Sequence, residues 1–269
     1  MKKYRHVRNW VEDLPRLGRF SFSLDEAREQ FNDMPVDNIR NALHRLSVAG
    51  KILSVWRGFY AVVLPEYGLD GSVPPAEYID QLMSYVNADY YVALLSAASY
   101  QGAAQQSPQV FQVISNRQIR SKDVSGTHIE FVYKKDIPKT SIEQKTVKSG
   151  CIDVSKPALT ALDLVGYPSR SGGISRVASV IADLADSIDF STIEAGVLKQ
   201  ERSSTVQRLG HLLETVLNEK ELADTLFDKC VSAGLLFRRV GLVPNNDDRH
   251  IGYDKKWMIT INYEVEVDG

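Results

Sequence analysis

The residues best suited to metal or nucleophilic chemistry are five histidines (His6, His44, His128, His211, His250) and two cysteines (Cys151, Cys230). No two histidines stand at zinc-ligand spacing, and there is no Cys-x-x-Cys. A phosphate-loop lysine motif and a Gly-x-Ser-x-Gly elbow are both absent. Two short stretches remain. Ser171-Gly172-Gly173, just before an apolar-periodic run, could present a helix N-terminus to an anion; the plainer reading is a tight turn. Asn245-Asn246-Asp247-Asp248-Arg249-His250 collects acids, a base and an imidazole, and reads more simply as a solvated β-turn. Metal chemistry at Asp247 and Asp248 would need a third oxygen ligand that spacing does not supply. No catalytic residue, metal or cofactor is therefore expected, and the chain is not expected to be an enzyme.

A different chemistry is written near position 40. Val36, Ile39, Leu43 and Leu46 recur at helical spacing and predict a buried stripe. The opposite face of that helix carries Asn38, Arg40, Asn41, His44 and Arg45. Arg reads guanine and Asn reads adenine, each through two parallel hydrogen bonds in the major groove, which is wide enough to admit a helix.

The elements around this helix fit the same purpose. Val7, Trp10, Val11 and Leu14 predict a first helix over 4–14, stopped by Pro15. A second opens at Ser23, with Asp25 and Glu26 in its first turn. Pro35 starts the third and Gly50 ends it. Two β-prone runs, 51–56 and 59–63, then flank Arg57-Gly58, a hairpin signal that puts Arg57 within reach of a phosphate or the minor groove. Three helices and a hairpin is the order of a winged helix-turn-helix. The competing reading is a helix-hairpin domain used for protein contacts, with its polar face merely solvated.

Length and composition set the frame. The 269 residues, at about 150 per domain, suggest two domains. Apolar residues at 43% and charged ones at 25% exclude a largely disordered chain. No run of 18 apolar residues occurs, and the charged start Met1-Lys2-Lys3-Tyr4-Arg5-His6 is unlike a signal peptide. A cytoplasmic protein without disulfides is expected. The net charge of −2 conceals blocks: +4 over 1–63, −5 over 64–116, +4 over 117–148 and −5 over 149–269. The basic N-terminal block suits an anionic partner such as nucleic acid.

The Gly- and Pro-rich stretch 65–75 reads as a linker, which divides the chain into a winged helix-turn-helix at 1–64 and a larger domain at 76–269. The latter mixes predicted helices (Tyr90–Tyr100, 157–165, 174–188, 203–216, 219–233) with predicted strands (108–115, 127–133, 147–154, 257–267). Without strict alternation the class is α+β. Ser155 and the Ser191-Thr192-Ile193-Glu194 run are read as helix caps, and Cys230 as a buried apolar residue rather than a nucleophile. The second basic block includes Arg117, Arg120, Lys134 and Lys135. It reads either as charged edge strands that discourage aggregation or as a secondary anion-binding surface.

Four stretches together resemble a known family: Val36–Tyr60, ending Trp56-Arg57-Gly58-Phe59-Tyr60; Tyr90-Tyr91-Val92-Ala93-Leu94-Leu95-Ser96-Ala97-Ala98; Gly150 through Leu164; and Arg208-Leu209-Gly210-His211-Leu212-Leu213-Glu214. The sequence looks like an AbiEi-type antitoxin of the type IV, abortive-infection toxin–antitoxin systems. The resemblance implies a winged helix-turn-helix that binds inverted repeats in the promoter of its own operon. It also implies a C-terminal domain that neutralises a nucleotidyltransferase-like toxin, with or without a stable complex. The DNA-binding positions it implies are those already reached: Asn38, Arg40, Asn41, His44, Arg45 and Arg57. The alternatives to this reading are a nucleic-acid-associated enzyme and a protein adaptor.

Overall fold

A computed structural model describes residues 4–67, 72–103, 109–246 and 250–267. The chain forms two compact units. The first gathers 1–91, 109–135 and 144–153; the second gathers 92–108, 136–143 and 154–269.

The first unit opens with helices α1 (Val7–Asp13), α2 (Leu24–Gln30) and α3 (Val36–Val48). Between them and after them lie strands β1 (Ser21–Ser23), β2 (Ile52–Trp56) and β3 (Phe59–Val62). These form a three-stranded sheet in the order β1-β3-β2, antiparallel throughout. Helices and sheet close over one core. Trp10 meets Phe22 and Phe31 edge-on, at ring separations of 5.0 and 6.0 Å, and Val11, Leu14, Ile39, Leu43 and Ile52 complete it. Edge-to-face geometry brings the positive rim of one ring to the negative face of the other, about 0.5–1.5 kcal/mol beyond burial. The stretch read as a linker forms 3-10 turns at Pro65–Tyr67 and Pro75–Glu77; its residues 68–71 lie outside the described ones.

Helix α4 (Ile79–Tyr85) follows, and then a six-stranded sheet. Its strands are β4 (Tyr90–Val92), β5 (Val110–Ser115), β6 (Lys122–Val124), β7 (Thr127–Tyr133), β8 (Ile142–Val147) and β9 (Gly150–Ser155), in the order β6-β7-β5-β4-β9-β8. β5 pairs parallel to β7 from Val110–His128 to Ser115–Tyr133, and β6 pairs antiparallel to β7. β4 pairs parallel to β9 through Val92 and Val154.

In the second unit, α5 (Leu94–Tyr100), α6 (Pro157–Gly166) and α7 (Ile174–Leu184) pack together, with α8 (Ala195–Gln200), α9 (Ser203–His211) and α10 (Lys220–Ser232) completing the helices. A five-residue π-helical turn, Leu212–Val216, extends α9. Strands β10 (Val240–Gly241), β11 (Gly252–Asp254) and β12 (Ile259–Ile261) make a small sheet with β12 in the middle. The whole is α+β, as expected.

Several local expectations are corrected. Tyr90–Val92 is strand rather than helix: Tyr-Tyr-Val is β-prone, and the helix begins only at Leu94, which takes φ +55. The strand expected at 147–154 is two strands, because Lys148-Ser149 turns the chain and Gly150 adopts φ +132. Ser155 stays in its strand and hydrogen-bonds Thr160 Oγ1 at 2.7 Å, leaving Lys156 at the N-cap ahead of Pro157. No capping box forms at 191–194; Asp189 instead accepts from the Ser191 amide and caps a 3-10 turn. Arg202 holds the N-cap of α9. The long strand expected at 257–267 shrinks to three residues. Trp257 lies in a turn with Met258 at φ +54, and buried Asn262 spends its amide on the Val243 and Asn246 carbonyls.

Candidate nucleic-acid interface

The candidate surface is built on α3. Its apolar stripe buries Ile39, Leu43 and Leu46 in the first unit's core, each with 6% or less of its surface exposed. That burial fixes the helix's rotation. Asn38, Arg40, Asn41, His44 and Arg45 are all exposed on the other side. Asn38, Asn41 and Arg45 follow one another at i, i+3 and i+7 along one strip, and Arg40 and His44 at i, i+4 beside it. Arg40 pairs with Asp37 at 3.5 Å. Its guanidinium also neighbours Tyr60: burial raises the Tyr60 hydroxyl above its ordinary range, and Arg40 partly opposes that.

α2 is held ahead of α3 by a reciprocal cap. The Ser23 hydroxyl accepts from the Glu26 amide at 3.1 Å, and Glu26 accepts from the Ser23 amide at 2.7 Å. Two of the helix's four orphan donors or their neighbours are thereby satisfied locally. Glu26 also pairs with Arg19.

The β2–β3 turn presents Arg57 to solvent, and Gly58 takes φ +77 there. The Leu24 amide donates to the Gly58 carbonyl at 2.8 Å. Two side chains from later in the chain also reach this hairpin. Tyr85, at the end of α4, donates its hydroxyl to the Arg57 carbonyl at 3.1 Å. Lys122, on β6, donates to the Val55 carbonyl at 2.7 Å and lies 5.7 Å from the Trp56 ring centroid. Spacing gives no hint of either residue. Between β1, α2 and α4 runs a groove of about 380 Å³ that includes Arg19, Ser23, Glu26, Gln81 and Tyr85.

Of the secondary basic residues, Arg117, Lys134 and Lys135 lie at one end of the β5–β7 pair. The Ser115–Tyr133 register and a 3.0 Å bond from the Lys134 amide to the Ser115 carbonyl bring residues 115–117 beside 133–135. Arg117, Arg120 and Lys135 are exposed and Lys134 is half-buried. Arg117 donates to the Val86 carbonyl at the end of α4, so part of its capacity is structural.

The remaining chemical candidates do not assemble into a site. Gly172 and Gly173 take φ +83 and +94, and Ser171 is fully buried with its hydroxyl turned to the Tyr167 carbonyl, which is the tight-turn reading. Asp247 and Asp248 lie outside the described residues. Among the described residues no group of three His, Cys, Asp or Glu is arranged to hold a metal ion. His211 is buried and pairs with Asp254 at 2.7 Å. Cys230 is 1% exposed, and burial pushes its thiol up to about 12. No described helix is long and apolar enough to cross a membrane.

The family match lies C-terminal to α3 and the β2–β3 hairpin. Residues 91–215 match the family described as "AbiEi antitoxin C-terminal domain". No curated protein matches the sequence. Among solved structures, the chain is similar to the RV2827C protein from Mycobacterium tuberculosis, with a TM-score of 0.65 at 14% identity over 96% of this chain and 92% of that one. That likeness is one of fold. An antigenic nucleotidyltransferase-like protein from Paracoccidioides brasiliensis matches with a TM-score of 0.37 at 8% identity, over 56% of this chain and 89% of that one.

Proposed function

We propose that this chain, whose residues 91–215 match the AbiEi antitoxin C-terminal domain, is an AbiEi-type antitoxin that represses its own operon as well as neutralising a nucleotidyltransferase-like toxin. The observation that carries the DNA half is the single rotation of α3, which buries three aliphatic side chains and exposes Asn38, Arg40, Asn41, His44 and Arg45 together.

In this reading residues 1–64 act as a winged helix-turn-helix, 65–75 connect, and 76–269 carry the antitoxin activity. α3 enters the major groove of promoter DNA. Asn41 and Arg45 face base edges, where two parallel hydrogen bonds distinguish adenine and guanine. Arg40 and His44 flank them towards the phosphates. Arg57 at the hairpin tip holds the backbone or the adjoining minor groove and sets register without reading sequence. Inverted repeats in the operator would then seat two chains, with half-sites about 34–36 Å apart or a multiple of that. Arg117, Arg120, Lys134 and Lys135 form a secondary basic surface available to the same polyanion.

The test is gel retardation of duplex DNA taken from upstream of the chain's own reading frame. Arg45→Ala should weaken specific binding by about 1–3 kcal/mol, while Arg57→Ala should weaken binding to all sequences alike. Affinity should fall with a log–log salt slope of about −0.9 per phosphate neutralised. Unchanged retardation in both variants would remove this mode of binding. Co-expression tests the antitoxin half. Full-length Arg45→Ala should lose repression yet still rescue growth from the toxin encoded beside it.

A further inference from the structure

The hairpin that carries Arg57 is gripped by residues far from it in sequence. Tyr85 lies 28 positions from Arg57, and Lys122 lies 67 positions from Val55. Each spends its donor on a main-chain carbonyl of the hairpin, Arg57 and Val55 respectively. The Tyr85 ring also stands 5.4 Å from Phe59. At Gly58 there is no room to spare: a Cβ would come within 2.8 Å of the Tyr85 hydroxyl oxygen. Helix α4 is itself held, because Arg117 donates to the Val86 carbonyl directly after it.

The tip of a hairpin is its least ordered part. Bonds to the carbonyls at 55 and 57 remove that freedom. They fix the 55–56 and 57–58 peptide planes, one on each side of the Trp56-Arg57 pair, and therefore the direction in which the Arg57 side chain leaves the turn.

We propose that Tyr85 and Lys122 are positioning residues for DNA binding: they preset the hairpin so that Arg57 meets a phosphate without an ordering cost at the moment of binding. The inference rests on the DNA-binding reading above and adds to it. The N-terminal helices and hairpin do not make up the whole DNA-binding device; its wing is aimed by α4 and β6.

The gain from such presetting is the ordering entropy that binding would otherwise cost. Loss of one net hydrogen bond is worth about 1 kcal/mol, or roughly fivefold in affinity. Tyr85→Phe keeps the ring against Phe59 and deletes only the donor. Lys122→Met keeps the aliphatic chain over Trp56 and deletes the ammonium.

Two measurements on the full chain decide the matter. The first is amide hydrogen exchange without DNA. Residues 56–60 should exchange faster in Tyr85→Phe and Lys122→Met, while the α3 amides keep their protection. Unchanged exchange at the hairpin overturns the clamp whatever the DNA results. The second is a double-mutant cycle on affinity for the upstream duplex. Tyr85→Phe should cost about fivefold and lower the salt slope as Arg57→Ala does, and Arg57→Ala should cost less in the Tyr85→Phe background than alone. Strictly additive losses overturn the proposal. Loss of binding in Arg45→Ala with full binding in Tyr85→Phe also overturns it and leaves the DNA reading standing. If Arg45→Ala and Arg57→Ala are both silent while exchange at 56–60 still rises, the DNA reading fails, and with it the role given to Tyr85 and Lys122.

Discussion

Gly210 lies face to face with Trp257: a Cβ on Gly210 would stand 2.2–2.3 Å from the indole ring. The indole is fully buried, donates to Glu214 at 2.7 Å and sits among Phe227 and Phe237. The end of α9 and its π-helical extension thus supply three supports to the segment after α10, since His211 also bonds Asp254 at 2.7 Å. The run Arg208–Glu214, noticed in the sequence only as a likeness, is in structure the mortise for this aromatic.

Gly210→Ala should therefore overpack the second unit, at a cost of about 1–3 kcal/mol. Urea unfolding followed by tryptophan fluorescence measures it. The same substitution made in a Trp257→Leu background should cost much less, because the ring that blocks the methyl is gone. Equal costs in the two backgrounds would mean the ring is not the obstacle.

The structure also explains what could be read in advance. α1 and α3 were legible because half-buried helices display their core stripe as a 3.6-residue period, and Leu43 and Leu46 fall on that period. The exposed Asn–Arg–His face came with it, as the complement of the stripe. Tyr90–Val92 was not legible as a strand, since a short apolar run buried on both sides has no period to separate strand from helix. Gly210, Tyr85 and Lys122 were silent for another reason. Their partners are an indole 47 positions on and backbone carbonyls 28 and 67 positions back. Contacts to carbonyls leave no mark on residue type at the accepting position.

Ser23→Ala tests the cap that sets α2 ahead of α3. It leaves the Glu26 amide without its acceptor and should cost about 1 kcal/mol, within the usual 0.5–2 for a lost cap. Ser23→Asp should restore most of it, because a short carboxylate accepts the same bond. The denaturation midpoint of the first unit is the measure, and a neutral Ser23→Ala would show that the cap contributes nothing net.

The two thiols should behave oppositely. Cys151 is exposed and Cys230 buried. A thiol reagent at pH 8 should titrate one group in the folded chain and both only in denaturant. Burial holds the Cys230 thiol neutral up to about 12, against 9.0 for the free group. A folded pKa above the unfolded one adds stability that is fully present below pH 9. It drains away as pH climbs from 9 to 12, because only the unfolded chain sheds the proton there. Cys230→Ala should flatten that part of the stability–pH curve while lowering stability overall.

Asp37 should show stability and DNA binding pulling in opposite directions. Its carboxylate sits in the first turn of α3, where the helix dipole favours an acid by about 0.3–1 kcal/mol. It also pairs with Arg40 at 3.5 Å, with 86% of its side chain open to solvent. On the proposed DNA-facing side, that charge repels phosphate and ties up a guanidinium that could neutralise one. Asp37→Asn should therefore lower the unfolding free energy slightly and at the same time tighten binding to duplex DNA of any sequence. The salt dependence should steepen by about 0.9 in log–log slope if Arg40 takes up one further phosphate. The gain should shrink in an Arg40→Ala background, where only the relief of repulsion between Asp37 and phosphate remains. Weaker binding by Asp37→Asn at every salt concentration would mean that this end of α3 does not approach the backbone, and the docking of the helix would have to be turned accordingly.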